Sequence, residues 1–405
     1  MPGVVRPVAV TGIGIVSPLG ASAAAHWDGA LAGTKAVRRL LPEETIAIPS
    51  ALAGWREWFG APAADCSGDV AAMAIQAAAE AMHQAGLRRD DSTRLGLVLG
   101  ASKPVLSTQC GLPFDEWRSE RPNVRDVYAL SAPAQMVAEQ FHVEGPILTP
   151  SAACATGLVS VIRGAELIRE GVCEVVIAGS ADSSLHPAYL AAYRRMGVLA
   201  DPGDDPAGSC RPFDADRRGF AVGEGAAVLV LEDIDHARRR GAVILAEILG
   251  AGLTADPDSL VDAERSGRSL ARATKDAIDR SGVSADGIDA ASLHGTGTAG
   301  NDLGETNALK RALGEAAKSV SCFSIKGGIG HLMGAAGSVE IATLVQALVS
   351  QTVPPTVNLR RPDPECDLDY TIGRARKRQI RAALKLSQGF GGTCAALVIR
   401  RPESP

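Results

Sequence analysis

The side chain best suited to covalent chemistry is Cys154, in Ser151-Ala152-Ala153-Cys154-Ala155-Thr156-Gly157, between a strand-like approach over 146–150 and a helical run. A thiol at a strand-to-helix corner meets helical N–H groups and the positive end of the helix dipole, which favour the thiolate. The same N–H groups can stabilise an oxyanion. Taken alone, the position suits a small buried cysteine better than a nucleophile. His294, in Leu293-His294-Gly295-Thr296-Gly297-Thr298, stands at the carboxyl end of a buried strand, where α/β proteins place chemistry. The alternative is a histidine packed against a turn. His331 closes Ser324-Ile325-Lys326-Gly327-Gly328-Ile329-Gly330-His331, again after a strand and a glycine turn and before a helix. These glycines do not make a phosphate loop, because no Gly-Lys-Ser/Thr ends the run. Gly389-Phe390-Gly391-Gly392-Thr393-Cys394 is a glycine turn entering the last strand, which glycine alone would explain as a structural turn.

The elements that must carry these residues alternate between apolar strands and helical patterns. Strands are predicted over 7–12, 95–99, 174–178 and 226–231, with helices over 70–85 and 155–170. Asp69 is the N-cap and Gly86 the stop of the first helix. A second series follows, with strands over 244–250, 290–293, 319–323 and 395–400 and helices over 262–281, 303–316 and 335–350. Fully apolar strands alternating with helices predict an α/β protein with parallel sheets covered by helices. The pattern runs twice, giving an N-terminal half, 1–240, with Cys154 and a C-terminal half, 241–405, with both histidines and Phe390. Residue identity between the halves is too low to demonstrate a repeat. The segment 201–208 reads as a turn-rich surface loop, not a linker.

The 405 residues carry a formal net charge of −5 with 4% aromatics, which argues against a nucleic-acid surface built from basic patches and stacking platforms. Eight scattered cysteines without a C-x-x-C pair suit neither a zinc site nor a disulfide framework, and point to a reducing cytoplasm. The N-terminus has no signal-peptide h-region, and no run of about 18 apolar residues is expected to span a bilayer.

Together the four segments resemble the β-ketoacyl-acyl-carrier-protein synthases, the elongating branch of the thiolase superfamily. Thr11-Gly12-Ile13-Gly14-Ile15-Val16-Ser17-Pro18-Leu19-Gly20, the stretch Arg211-Pro212-Phe213-Asp214-Ala215-Asp216-Arg217-Arg218-Gly219-Phe220 with Gly223-Glu224-Gly225, and Pro354-Pro355-Thr356-Val357-Asn358-Leu359 extend the resemblance over nearly the whole chain. It implies a thiolase fold, two similar α/β halves packed as a five-layer α-β-α-β-α sandwich. It also implies a decarboxylative Claisen condensation between an acyl group on Cys154 and malonyl-acyl-carrier protein, in fatty-acid or polyketide elongation. The alternatives are a non-condensing carrier-protein acyltransferase or a chain-length-factor-like partner subunit; such partners usually lack the nucleophile.

By the same resemblance His294 and His331 stabilise the enolate oxygen, and Lys326 holds the electrostatics with Glu340 as partner. Asp302 and Glu305 organise loops, and Thr296 and Thr298 bind the pantetheine arm. Phe390 is the gate, and its amide forms an oxyanion hole with that of Cys154. Gly391 lets the turn swing. No metal or organic cofactor is implied, since the phosphopantetheine belongs to the acyl carrier protein. The partners implied are that carrier protein and a second subunit, identical or chain-length-factor-like, with no nucleic acid and no membrane. The sequence departs from the family at Cys394, where Asn is common, at Ala101-Ser102-Lys103-Pro104, in shorter segments over 33–66 and 100–130, and in lacking lysines near 55–70. Arg194, Arg195, Arg217, Arg218 and the run 374–381 are the candidates for a positive docking face, with solvated surface arginines as the alternative reading.

Overall fold

The structure is a computed structural model and describes residues 6–41, 58–64, 66–87, 95–104, 129–258 and 260–402. The N-terminal half contributes strands β1 (Val8–Val16), β2 (Leu95–Gly100), β3 (Ile147–Leu148), β4 (Val175–Asp182) and β5 (Gly225–Asp233). Its helices include α1 (Val70–Ala85), α2 (Ala132–Phe141) and α3 (Thr156–Arg169). The C-terminal half adds β6 (Ala246–Ala255), β7 (Ile288–Ser292), β8 (Ser321–Phe323), β9 (Asp369–Tyr370), β10 (Ala382–Gly389) and β11 (Thr393–Arg400). With them come α4 (Arg268–Ser281), α5 (Ala299–Leu313) and α6 (Ala336–Ser350).

The strand order is β3-β2-β4-β5-β1 in the first half and β6-β11-β10-β7-β8-β9 in the second. A short antiparallel seam, Val8↔Ile248 to Val10↔Ala246, joins them. In each half the first strand runs antiparallel to the last, the last antiparallel to the one before it, and that one parallel to the second. The sheet is therefore mixed, not parallel as the apolar strands suggested. Burial on both faces makes a strand apolar whatever its direction. On β11, Ala395, Leu397 and Ile399 face one core while Ala396 and Val398 face another.

Helices α3 and α6 fill the space between the half-sheets: Val161, Ile162 and Ala165 pack with Val339, Ala342 and Val345 in a core shared with strands of both halves. Ala74, Ala77 and Ala81 of α1 cover the outer face of the first half, and Leu270, Ala273 and Ala277 of α4 that of the second. The result is the five-layer α-β-α-β-α order. Asp69 caps α1 by accepting from Ala72 N at 2.9 Å, and Gly86 ends it in the left-handed conformation. Helix α4 begins at Arg268, later than predicted, and α5 begins earlier, at Ala299.

Helices α2 and Pro187–Arg195 and strand β10 were not expected. Strand β10 carries Lys385, Ser387 and Gln388, which break the apolar run that reveals its neighbours. One segment, Met333–Ser350, is long and apolar enough to cross a bilayer by length and composition alone. It contains the buried Glu340, and 83% of the window lies inside the fold, as befits a central layer.

The central helices touch backbone to backbone where their first turns meet. A Cβ on Gly157 would lie 2.4 Å from Ser338 N, and one on Gly337 2.4 Å from Leu158 N. Neither neighbour can yield, because both are main chain. Gly157→Ala and Gly337→Ala are each expected to lower stability by at least about 2 kcal/mol, read as a drop in the urea midpoint.

Candidate active site

Cys154 sits in a 3₁₀ turn, Ala153–Ala155, that leads directly into α3. Ala153 holds φ 46°, a left-handed conformation that is strained for a residue with a Cβ. The turn is locked by Thr156, whose Oγ1 accepts from Ala152 N at 2.8 Å and donates to Ala153 O at 2.7 Å. Burial pushes the Cys154 thiol up to about 11, against the pull of the Lys103 and Lys326 ammoniums and the Phe390 amide. The thiolate preference expected at a helix start is thus outweighed by desolvation, and the resting group is the thiol.

His294 follows β7 and is buried, and its segment is clamped by carboxylates of α5. Glu305 accepts from His294 N and from Gly295 N, at 2.5 and 2.8 Å. Asp302 accepts from Thr296 N, Gly297 N and Phe213 N at 3.1, 3.2 and 2.7 Å. Its carboxylate also lies 3.5 Å from Arg217 Nε. Burial raises Asp302 and pushes Glu305 up to about 7, while these backbone donors pull the other way. Both act on the main chain, which is the loop-organising part that the resemblance implied.

His331 is held by its own backbone, which donates to Ala221 O at 2.7 Å and accepts from Gly223 N at 2.9 Å. Its ring meets that of His294 edge-on, with centroids 5.3 Å apart, and meets Phe220 at 5.1 Å. Among the described residues His331 Nδ1 has no hydrogen-bond partner. Lys326, fully buried, forms an ion pair with Glu340 and donates to His294 O at 2.5 Å, with His294 Nδ1 at 3.5 Å. Burial, then the Lys326 charge, holds both imidazoles well below the usual histidine range, so both are neutral. A neutral His294 whose Nδ1 faces an ammonium carries its proton on Nε2.

A cleft of about 680 Å³, open to solvent, runs to these groups; its walls include Cys154, His294, His331, Thr296, Thr298 and Phe390. The hydroxyls of Thr296 and Thr298 lie 2.8 Å apart along it. Phe390 and Gly391 lie in the hairpin between β10 and β11, where Gly391 and Gly392 take φ of 84° and 87°. Gly391 N donates to Leu260 O and Asp256 N to Gly392 O, at 2.8 and 2.7 Å, which ties the hairpin to the 256–260 segment. Gly389 lies against the nucleophile turn, where a Cβ would come 2.4 Å from Ala152 O.

Cys154, His294, His331, Thr296, Thr298 and Phe390 thus line one cleft, while Asp302, Glu305 and Lys326 hydrogen-bond the His294 segment and Glu340 pairs with Lys326. Cys394 lines the cleft as a buried thiol. Arg217 is corrected as a docking candidate: it is buried and paired with Asp363 at 2.6 Å as well as lying by Asp302. Arg376 and Arg381 of the run 374–381 pair with Asp369 and Asp289. Most of the segments expected to be short, 42–57 and 105–128, lie outside the described residues. Sequence reasoning missed Lys103 as a neighbour of the nucleophile, paired with Asp182 at 2.7 Å, and it missed Lys385. Lysines within otherwise apolar segments were the available signal.

The family model "Beta-ketoacyl synthase, N-terminal domain" matches residues 5–237, and "Beta-ketoacyl synthase, C-terminal domain" matches residues 245–360. The chain belongs to the beta-ketoacyl synthase family. As such it is a condensing enzyme of the acyltransferase class, with the thiolase fold of its structural neighbours. It is 38% identical to a "Putative polyketide beta-ketoacyl synthase 1" of Streptomyces halstedii, over 98% of this chain and 99% of that one. The AntDE:AntF complex, a type II PKS acyl-carrier protein with its ketosynthase bound to the hexaketide, superposes with a TM-score of 0.88 at 28% identity, covering 98% of this chain and all of that one. The ishigamide ketosynthase/chain length factor gives 0.84 at 29% identity, with the same coverage.

Because Asp302 satisfies three backbone amides and lies against a buried guanidinium, Asp302→Ala is expected to cost about 3 kcal/mol. Equilibrium unfolding in guanidinium chloride measures it.

Proposed function

We propose that this beta-ketoacyl synthase extends acyl chains on a carrier protein in a polyketide-type pathway, with the Cys154 thiol as the acyl carrier on the enzyme. The observation that carries the reading is the convergence of the Cys154 thiol and two neutral imidazoles on a single cleft. In the first half-reaction Cys154 sulfur attacks the acyl thioester of the carrier protein. The new carbon–sulfur bond forms as the old one breaks, and the thiol proton leaves with the pantetheine thiolate. The Cys154 and Phe390 amides bind the oxyanion of that step.

In the second half-reaction malonyl-carrier protein loses carbon dioxide, and the electron pair of the broken bond becomes an enolate. His294 and His331 donate Nε2–H to its oxygen; neutral donors in a dry site stabilise the charge without giving up a proton. The enolate carbon attacks the Cys154 thioester, and collapse releases the two-carbon-longer β-ketoacyl-carrier protein and the Cys154 sulfur. Thr296 and Thr298 bind the pantetheine arm, and the Phe390 hairpin opens over the acyl pocket. The only prosthetic group in this reading is the carrier protein's phosphopantetheine.

The polyketide assignment rests on the Streptomyces halstedii relative and on the AntDE:AntF likeness. A chain-length-factor-like second subunit is proposed on the ishigamide likeness. A cytoplasmic location fits the unpaired buried thiols of Cys154, Cys210, Cys322, Cys366 and Cys394.

The test is intact-protein mass spectrometry. Loading from a panel of acyl-carrier proteins is expected to leave an acyl adduct on Cys154, absent in Cys154→Ala. Adding malonyl-carrier protein should discharge it as a β-ketoacyl product. Loading without discharge would indicate a bare acyltransferase or a missing partner subunit, and no loading would sink the catalytic reading. Replacing either histidine by Ala is expected to lower malonyl-carrier-protein decarboxylation by about 100- to 1000-fold, followed as carbon dioxide release.

A further inference from the structure

Lys385 lies in the interior of β10 with no solvent exposure, on a strand whose neighbouring core positions are Leu384 and Leu386. Its Nζ is 2.6 Å from Glu340 Oε2, and it donates to Leu386 O at 2.5 Å and to Ser292 O and Leu293 O at 3.4 Å. The last two carbonyls belong to the chain that runs directly into His294. The other Glu340 oxygen pairs with Lys326, whose Nζ contacts His294 O and faces His294 Nδ1. One buried carboxylate therefore serves two buried ammoniums, leaving one positive charge unbalanced among the three groups beside the histidines. No packing need explains this, since an apolar side chain would fill a strand interior without the desolvation cost of a cation.

We infer that Lys385 is a positioning residue for condensation: it fixes Glu340 and the approach to His294, so that Lys326 is aimed at Nδ1 and Nε2 keeps the proton. This rests on the proposed role of His294 as an oxyanion donor. The charged and titratable groups facing Lys385 are Glu340 from α6, Lys326 from the turn after β8, Glu305 from α5, and the two histidines. Its cation lowers both histidines and also lowers Glu305. Removing it therefore raises all three. A protonated His294 turns Nδ1 into a donor facing the Lys326 ammonium, and a protonated Glu305 loses an acceptor for the His294 loop. Both changes weaken the site as pH falls, so the acid limb moves upward.

The experiment compares native protein with Lys385→Met and Lys385→Gln, together with the carrier protein and any partner subunit the native enzyme needs. Acyl loading on Cys154 and malonyl-carrier-protein decarboxylation are measured separately as a function of pH. The expected result is native-like loading, decarboxylation lowered about 10- to 100-fold, and an acid limb shifted to higher pH in both variants. If loading and decarboxylation fall together with the pH profile unmoved, Lys385 is merely structural and the inference is overturned. A native profile in Lys385→Gln, which keeps a donor without the charge, also overturns it. If Lys385→Met does not fold, Lys385→Gln alone decides on the same criteria. His294→Ala is the control: if it decarboxylates at the native rate, the oxyanion reading fails rather than the part assigned to Lys385.

Discussion

The close approach of α3 and α6 at Gly157 and Gly337 is the contact on which the rest depends. It brings two helix starts within main-chain distance; the turn ahead of the first carries Cys154, and His331 lies two residues before the turn ahead of the second. The two turns correspond. Ala153 and Met333 both take a left-handed φ, 46° and 48°, each opening a 3₁₀ turn that runs into a central helix. Cys154 thus holds the place in the first half that Gly334 holds in the second, and the strain at Ala153 is the local cost of aiming a thiol into the cleft. The Gly-x-Gly pairs repeat likewise: Gly12 and Gly14 lie under carbonyls of α1, and Gly250 and Gly252 under carbonyls of α4.

Around that seam the protein keeps a buried, positively biased cluster of side chains. Lys326, Lys385 and Lys103 are buried or nearly so, each beside a carboxylate, and Glu340 answers two of them. Such an arrangement is a poor source of stability, since desolvating each ion costs as much as pairing returns. Its effect is on chemistry. Burial, reinforced by cations held at fixed distances, keeps the imidazoles neutral, and the cations leave a positive field beside them. The same burial that keeps the histidines neutral keeps Cys154 protonated.

The carboxylates of α5 take the opposite part. Asp302 and Glu305 spend their acceptors on the amides of the 294–297 segment rather than on substrate. A loop that follows a strand end would otherwise have several buried N–H groups unmet. Meeting them with side chains of one helix makes the segment rigid, as the oxyanion part proposed for His294 requires.

The sequence alone determined most of the alternation of elements and the ends of α1, because apolar periodicity and capping residues are local signals. Cys154, His294, His331 and Lys326 stood out there as candidates, and the resemblance tied them together. The mixed direction of the sheet was not legible, since a strand buried on both faces reads the same either way. Strand β10 was hidden by its own Lys385, whose polarity makes sense only once Glu340 is seen to meet it from α6. The interior placing of Arg217 and the outcome at the Cys154 thiol likewise belonged to the tertiary structure. Both depend on how far surrounding chain excludes water and on which charges it brings near, and no spacing along a sequence records either.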